Sequence, residues 1–276
     1  MMSDWDAERY HRLSDPQVGW GRRVLERLAA GPGERVLDLG CGTGRLTAEL
    51  HAALGGGLVV GVDRSAAMLR EAAAQHFWHR GPHAIDAGPL PSRVYLVRAD
   101  GTHLPFADAF DAVLSTATFH WVLDHDLLFA SLYRALAPGG RLVAQCGGAG
   151  NLARLLDRAG TLASRPPFAP SFTRWQDPWL FADVPTTIVR LANAGFTAID
   201  VYMESAPTTL PDRHGFREFL STVCVRHHVA LLPPDLGEAF LDALADASAG
   251  DDPAFTLDYW RLNILARKPE GAEQAA

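Results

Sequence analysis

The segment Val36 to Thr47 constrains this chain more than any other. A short apolar run, Val36-Leu37-Asp38-Leu39, passes directly into Gly40-Cys41-Gly42-Thr43-Gly44 and then into an amphipathic stretch. Glycines spaced G-x-G-x-G after a strand let the backbone turn sharply and approach a ligand. The helix they open presents unpaired N–H groups and the positive end of its dipole. Apolar β-branched runs alternating with amphipathic stretches from Arg35 to Arg98 predict an α/β fold, a parallel sheet covered by helices.

The Leu46, Leu50 and Leu54 stripe predicts a helix over Gly44 to Leu54, closed by Gly55-Gly56-Gly57. Leu58 to Val62 reads as the second strand, Ser65 as the cap of a helix through Ala74, and Val94 to Val97 as the third strand. Phe110 to Ser115 and Arg141 to Cys146 follow as strands, separated by a helix over Leu127 to Leu136 that Ala137-Pro138-Gly139-Gly140 stops. Next come a helix near Leu152 to Leu162, a Pro- and aromatic-rich loop from Pro166 to Asp183, a helix over Thr186 to Ala194 and a strand over Ile199 to Met203. Helical stretches at Phe216 to Leu232 and Leu236 to Ser248, the second opened by a capping-box-like Asp235 and Glu238, precede a final strand at Tyr259 to Arg267. The loop from His76 to Ser92 is longer than most such connections and carries no assigned role.

A length of 276 residues with 48% hydrophobic content suffices for one substantial core. The formal charge of −7 argues against nucleic acid as the partner, because that affinity comes from clustered cations. Lys268 is the lone lysine, so a fixed cation meeting a substrate is expected to be a guanidinium, suited to carboxylate forks. No run of about 18 apolar residues appears, and Asp4, Asp6 and Glu8 stand where an export signal would be basic then apolar. Cys41, Cys146 and Cys224 are too few and scattered for a disulfide framework or a metal cluster. These features predict a cytoplasmic protein with no membrane association and no metal.

Two further carboxylates make the glycine turn specific. Asp63 ends the second strand, placed to accept from both hydroxyls of a ribose, and Asp100-Gly101 follows the third, where a carboxylate beside a small residue suits an adenine amino group. A dinucleotide fingerprint would need its third glycine at Arg45, where a side chain obstructs helix-to-strand packing. The pattern therefore points to a nucleoside site at the strand tips.

From Arg35 to Gly147 these residues, with the turn Leu136-Ala137-Pro138-Gly139-Gly140, resemble the class I S-adenosylmethionine-dependent methyltransferases. The resemblance implies a Rossmann-like, seven-stranded, mostly parallel sheet with a reversed last hairpin, helices on both faces and helical lid insertions. It also implies a single domain: an N-terminal cap over the cofactor (1–34), a cofactor-binding core (35–147), lid or substrate insertions (148–183 and 206–258) and a last strand (259–268). S-adenosylmethionine would be the cofactor and S-adenosylhomocysteine the product. The implied contacts place Asp38, Gly40, Cys41 and Gly42 near the methionine end, Asp63 with Arg64 at the ribose, Met68 against the adenosine, and Asp100 with Gly101 at the adenine. Tyr10, Thr116 and Ala117 complete the implied cofactor shell.

Phe119-His120-Trp121-Val122-Leu123-Asp124-His125, Cys224-Val225-Arg226, Arg261-Leu262-Asn263-Ile264 and the opening Trp5-Asp6 to Tyr10 are similar to trans-aconitate methyltransferases, although His120 stands where that group often has Gln. An anionic small-molecule acceptor follows from that likeness. A carboxylate is already ionised at neutral pH and needs a cation rather than a base, and Arg226 is the first candidate, with Arg261 and Arg174 in reserve and Trp121 as a substrate contact. A hydroxyl acceptor would instead want His120 as general base. Alternatives are a hydroxyl or carbon methyltransferase of secondary metabolism, a cofactor-binding protein without chemistry, and a dehydrogenase. Ser115-Thr116-Ala117-Thr118 lacks the Asn/Asp-Pro-Pro-aromatic motif of enzymes that methylate nucleic-acid amino groups. His227-His228 and the group His76, His79 and His83 lack metal-site spacing and read as surface histidines. Cys41 reads as a small packing residue.

Overall fold

Why the apolar runs become a sheet is visible in their burial: in the computed structural model, which describes residues 15–77 and 94–271, the strand β1 (Arg35–Leu39) is buried from Val36 onward. A strand with both faces covered needs helices on both sides. Val36 packs on one face with Val24 and Leu28 of α1 (Asp15–Leu28) and Leu50 of α2 (Arg45–Ala53). Leu37 and Leu39 point to the other face, against Leu128 and Leu132 of α4 (His125–Ala135).

β2 (Leu58–Asp63), α3 (Ala66–Ala72), β3 (Val94–Arg98), β4 (Phe110–Thr116) and β5 (Leu136–Gly147) build the parallel half. After α5 (Ala153–Ala163) and α6 (Val184–Asn193), β6 (Thr197–Ser205) and β9 (Trp260–Arg267) close the sheet. The strand order is β3-β2-β1-β4-β5-β9-β6, and β9 runs antiparallel to both neighbours. The expected seven-stranded, mostly parallel sheet with a reversed last hairpin is the one observed. Because the order reverses between β1 and β4, their carboxyl ends diverge and leave a crevice above them.

Between β6 and β9 lies an insertion. It holds β7 (Thr208–Thr209) paired with β8 (Thr256–Leu257), then α7 (Arg213–Phe219), a π-turn over Leu220–Cys224, α8 (Arg226–Val229) and α9 (Pro234–Ala249). It shares a separate hydrophobic cluster with α5 and the 166–183 loop, centred on Phe168, Phe172, Phe216, Phe219 and Phe240. The two expected insertions thus pack on each other. Trp20 of α1 joins them, its ring 4.9 Å from that of Tyr259.

Local chemistry explains most boundaries. Ser65, Asp124 and Asp183 cap α3, α4 and α6 by accepting from the N–H groups of Met68, Leu127 and Thr186. Four expectations need correction. The stretch from Phe216 to Leu232 is broken by the π-turn and by Val225. Strand β5 begins at Leu136, bridging to Phe110, and its register with β4 shifts before Arg141 pairs with Ala112. No capping box opens α9: Pro233 is its N-cap without a side-chain bond, and Glu238 instead pairs with Arg217. His228 is buried because its ring enters the aromatic packing of the insertion, 4.2 Å from the Trp175 ring and stacked on Phe240, and His227 is half-buried beside the Trp121 ring at 5.3 Å. The expected cap from Trp5 to Tyr10, and His79 and His83, lie outside the described residues.

Phe240 is fully buried at the centre of the insertion's cluster, whereas Leu123 is 61% exposed. Phe240→Ala should lower the unfolding free energy by about 3–5 kcal/mol in urea denaturation. Leu123→Ala should change it by less than about 0.5 kcal/mol.

Candidate active site

The glycine turn is anchored to β2 rather than to its own helix. Gly40 and Cys41 both donate to the Val62 carbonyl, at 2.7 and 3.1 Å. Gly42 donates to Asp63 Oδ2 at 3.0 Å, while the Ser65 N–H donates to Asp63 Oδ1 at 2.8 Å. One carboxylate therefore ties the turn to the start of α3. Gly40 has φ +75° and a Cβ there would collide with the Thr118 side chain, so glycine is required twice over.

Above the turn opens a cavity of about 440 Å³. Gly40 and Gly42 line it from the turn after β1, Asp63 and Arg64 from the tip of β2, and Met68 from α3. Asp100 and Gly101 line it from the end of β3, and Thr116 and Ala117 from β4. Trp121, Asp124 and Arg226 form the opposite wall. Asp100 Oδ1 accepts from the Thr102 N–H and hydroxyl, and these bonds hold its carboxyl below the usual carboxylate range. A Cβ at Gly101 would press on Leu128 and Leu39 at 3.3 Å, so that glycine answers to core packing rather than to the cavity.

Two expected contacts sit behind this surface. Asp38 is 2% exposed and lines neither cavity; Thr47 donates to its Oδ2 at 2.6 Å. Burial raises its carboxyl to about 6 against that hydrogen bond, and the neighbouring Asp63 charge adds to the rise. Cys41 is buried, its Sγ against Gly61, where an added Cβ would stand only 3.1 Å away. Burial first, then Asp38 and Asp63, push its thiol well up. Both residues shape the turn from within. Tyr10 lies outside the described residues, and Arg174 is exposed and lines neither cavity.

A smaller inner cavity of about 50 Å³ adjoins the first, and Ala117 and Trp121 line both. Ala117 has φ +53°, a left-handed backbone that aims a minimal side chain at the junction; its N–H donates to the Gln145 carbonyl at 2.8 Å. His120 and Arg261 also line the inner cavity. Arg261 is 3% exposed, with its guanidinium 4.5 Å over the Trp20 ring. His120 lies between Trp121 and Phe181, at centroid distances of 5.0 and 5.7 Å, and its Nδ1 accepts from the Gly147 N–H at 3.2 Å. Burial, and then the charge of Arg261, hold its imidazole well below the usual range. The ring is therefore neutral, with its proton on Nε2.

Sequence reasoning missed Asn151, Trp179, Phe181 and Tyr259, all on the inner wall. The aromatic content of the 166–183 loop was the available signal for Trp179 and Phe181; Asn151 offered none. Among the described residues no group of His, Cys, Asp and Glu gathers to hold a metal, and no helix is long and apolar enough to cross a membrane.

The fold and the crevice define a Rossmann-like methyltransferase, and comparisons with known proteins agree. A methyltransferase domain family matches residues 37–144. An uncharacterized methyltransferase of Schizosaccharomyces pombe is 27% identical over 96% of this chain and 98% of its own. A trans-aconitate 2-methyltransferase of Deinococcus radiodurans is likewise 27% identical, over 96% of this chain and 99% of its own. Among solved structures, a phosphoethanolamine N-methyltransferase of Haemonchus contortus, in complex with S-adenosylhomocysteine, shares the fold with a TM-score of 0.60 at 20% identity. That match covers 96% of this chain and 57% of the other. The chain thus carries a methyltransferase domain over residues 37–144 and is similar to methyltransferases along nearly its whole length.

Four imidazoles, His120, His125, His227 and His228, are held below their ordinary pKa chiefly by burial, the last two at about 4. The unfolded chain takes up protons on them below about pH 6.5 and the folded chain does not, so stability falls on acidification. Asp38, raised to about 6, opposes this below pH 6 but is one group against four. Thermal midpoints should be level between pH 8 and 7 and drop below about 6.5. A midpoint that rises between pH 7 and 5 contradicts this assignment.

Proposed function

We propose that this methyltransferase transfers a methyl group to a carboxylate oxygen of a small, anionic acceptor held in the inner cavity. The residues around the outer cavity fit the cofactor. A Cβ on Gly42 would meet nothing within 4 Å, so the backbone there opens onto free space. Asp63 stands at the tip of β2 for the ribose hydroxyls, Asp100 for the adenine amino group, and Met68 for the face of the adenosine. Arg64, Thr116 and Ala117 complete that shell, and Asp38 and Cys41 act through the turn they support. When bound, the cofactor supplies an electrophilic methyl: the O–CH₃ bond forms as the S–CH₃ bond breaks, the electron pair goes to sulfur, and no proton moves.

The observation that carries the choice of a carboxylate is the state of His120. Its Nδ1 takes the Gly147 N–H and its Nε2 carries a proton, so neither nitrogen accepts a proton from a hydroxyl. The same Nε2–H can donate to an oxygen that is already anionic. Arg226, on the outer cavity beside the shared Trp121 ring, and Arg261, on the inner one, supply positive charge for the acceptor. Holding the nucleophile against the methyl contributes about 7–11 kcal/mol by positioning alone, so a site of donors without a base suffices. The relatives named for trans-aconitate methylation support an acid as the acceptor class. Residues 148–183 and 206–258 act together as the cover over the acceptor, on a core spanning residues 35–147.

Incubation with cofactor labelled in the methyl group and a panel of organic acids should yield product whose label mild alkali releases as methanol, the signature of an ester. Label that survives alkali, as in an ether, amine or C-methyl product, overturns the proposal. His120→Gln, which keeps an N–H donor, should lower kcat by less than about tenfold, whereas loss of a general base costs about 10²–10⁴. Arg226→Ala should act mainly on KM for the acid.

A further inference from the structure

The inner cavity is divided by the elements that build it. Its guanidinium, imidazole and side-chain amide come from the sheet side: His120 after β4, Asn151 after β5 and Arg261 on β9. Their other polar atoms are engaged in structure, His120 Nδ1 with the Gly147 N–H and Asn151 Oδ1 with the Trp260 N–H at 3.1 Å. The facing wall holds no charged side chain. It is made by Leu152 and Leu156 around α5, Trp179 and Phe181 from the 166–183 loop, and Val223 from the π-turn. The rings of Trp179 and Phe181 stack at 21° with centroids 5.9 Å apart, and Trp121 meets Trp179 edge-on at 6.1 Å. Cys224 and Tyr259, also on the lining, face each other, Sγ to Oη 3.5 Å.

A cavity with donors at one end and flat apolar walls at the other recognises an amphipathic molecule. A buried carboxylate without a cation beside it is strongly unfavourable, so a second or third carboxylate set against Leu152, Leu156 and the stacked rings has no compensation. A planar apolar body there gains contact area and ring-to-ring packing. Resting on the carboxylate reading above, we infer that the acceptor is an acid with one carboxylate and a flat apolar body, an aryl or conjugated alkenoic acid. It would not be a polycarboxylate of the kind for which the trans-aconitate relatives are named. The carboxylate lies beside Ala117, His120 and Arg261, and the flat body lies against the contiguous aromatic surface that Trp121, Trp179 and Phe181 form. The inner cavity, and not the cofactor site, sets this specificity.

The test compares cinnamic acid with trans-aconitic acid, both unsaturated acids, on the full chain. Two readouts apply: ester formed from labelled S-adenosylmethionine, and calorimetric affinity of each acid for protein loaded with S-adenosylhomocysteine. The expected result is a kcat/KM and an affinity for cinnamic acid at least tenfold above those for trans-aconitic acid. Trp179→Ala should weaken cinnamic acid at least tenfold while leaving S-adenosylhomocysteine affinity within twofold, and Trp179→Phe should restore most of the loss. Preference for trans-aconitic acid on both readouts overturns this inference and leaves carboxyl methylation standing, and the comparison holds in the unaltered protein even if the Trp179 variants fail to fold. Ester from neither acid, with alkali-stable label on a hydroxyl or amine acceptor, overturns the inference and the carboxylate reading together.

Discussion

The carboxylate of Asp63 is the joint on which the site depends. By accepting from the Gly42 N–H with one oxygen and the Ser65 N–H with the other, it fixes the glycine turn against the tip of β2 and starts α3 at the same point. Charge-assisted bonds of this kind are about twice as strong as neutral ones, and they add to the Gly40 and Cys41 bonds to the Val62 carbonyl in holding a turn with left-handed glycines at 40, 42 and 44. Asp38 and Thr47 support the turn from below, at the cost of a buried carboxyl, and Thr118 bounds it from the β4 side. The ligand-facing surface is thus a rigid product of three strand ends.

Much of this was legible in the chain, for physical reasons. The parallel strands read as apolar runs because helices cover both faces, and the caps at Ser65 and the glycines after Leu39 are local events that leave local marks. Asp63 and Asp100 were recognisable because one ends β2 and the other stands two residues past β3. Asp38 was placed too far forward: its position in β1 puts it on the same face as Val36, toward α2, which the motif alone does not disclose. The histidines at 227 and 228 were misjudged because composition favours exposed imidazoles. Burial came from aromatic partners distant in the chain, Trp121 for His227 and Trp175 and Trp179 for His228. The inner wall escaped altogether, since it joins a loop, a π-turn and a helix that meet only in three dimensions.

The two cavities are built in different ways. The outer one is built by strand tips and tight turns, where backbone bonds leave little freedom, and it suits a ligand that does not change. The inner one is built largely by side chains of the insertions, packed in a cluster of their own. Between them stand Ala117 and Trp121, one minimal and one large. Any side chain longer than a methyl at 117 would narrow the passage between the two ligands.

The insertion leaves the sheet after β6 and returns at β9, its hydrogen-bonded neighbour, with the small β7 and β8 pair closing its base. Exit and re-entry are therefore side by side, and the sheet is indifferent to how much chain passes between them. Such an arrangement makes the insertion an exchangeable cassette. Segments spliced between Ser205 and Trp260 could diversify or be transplanted among related scaffolds without disturbing the strands beneath the outer cavity.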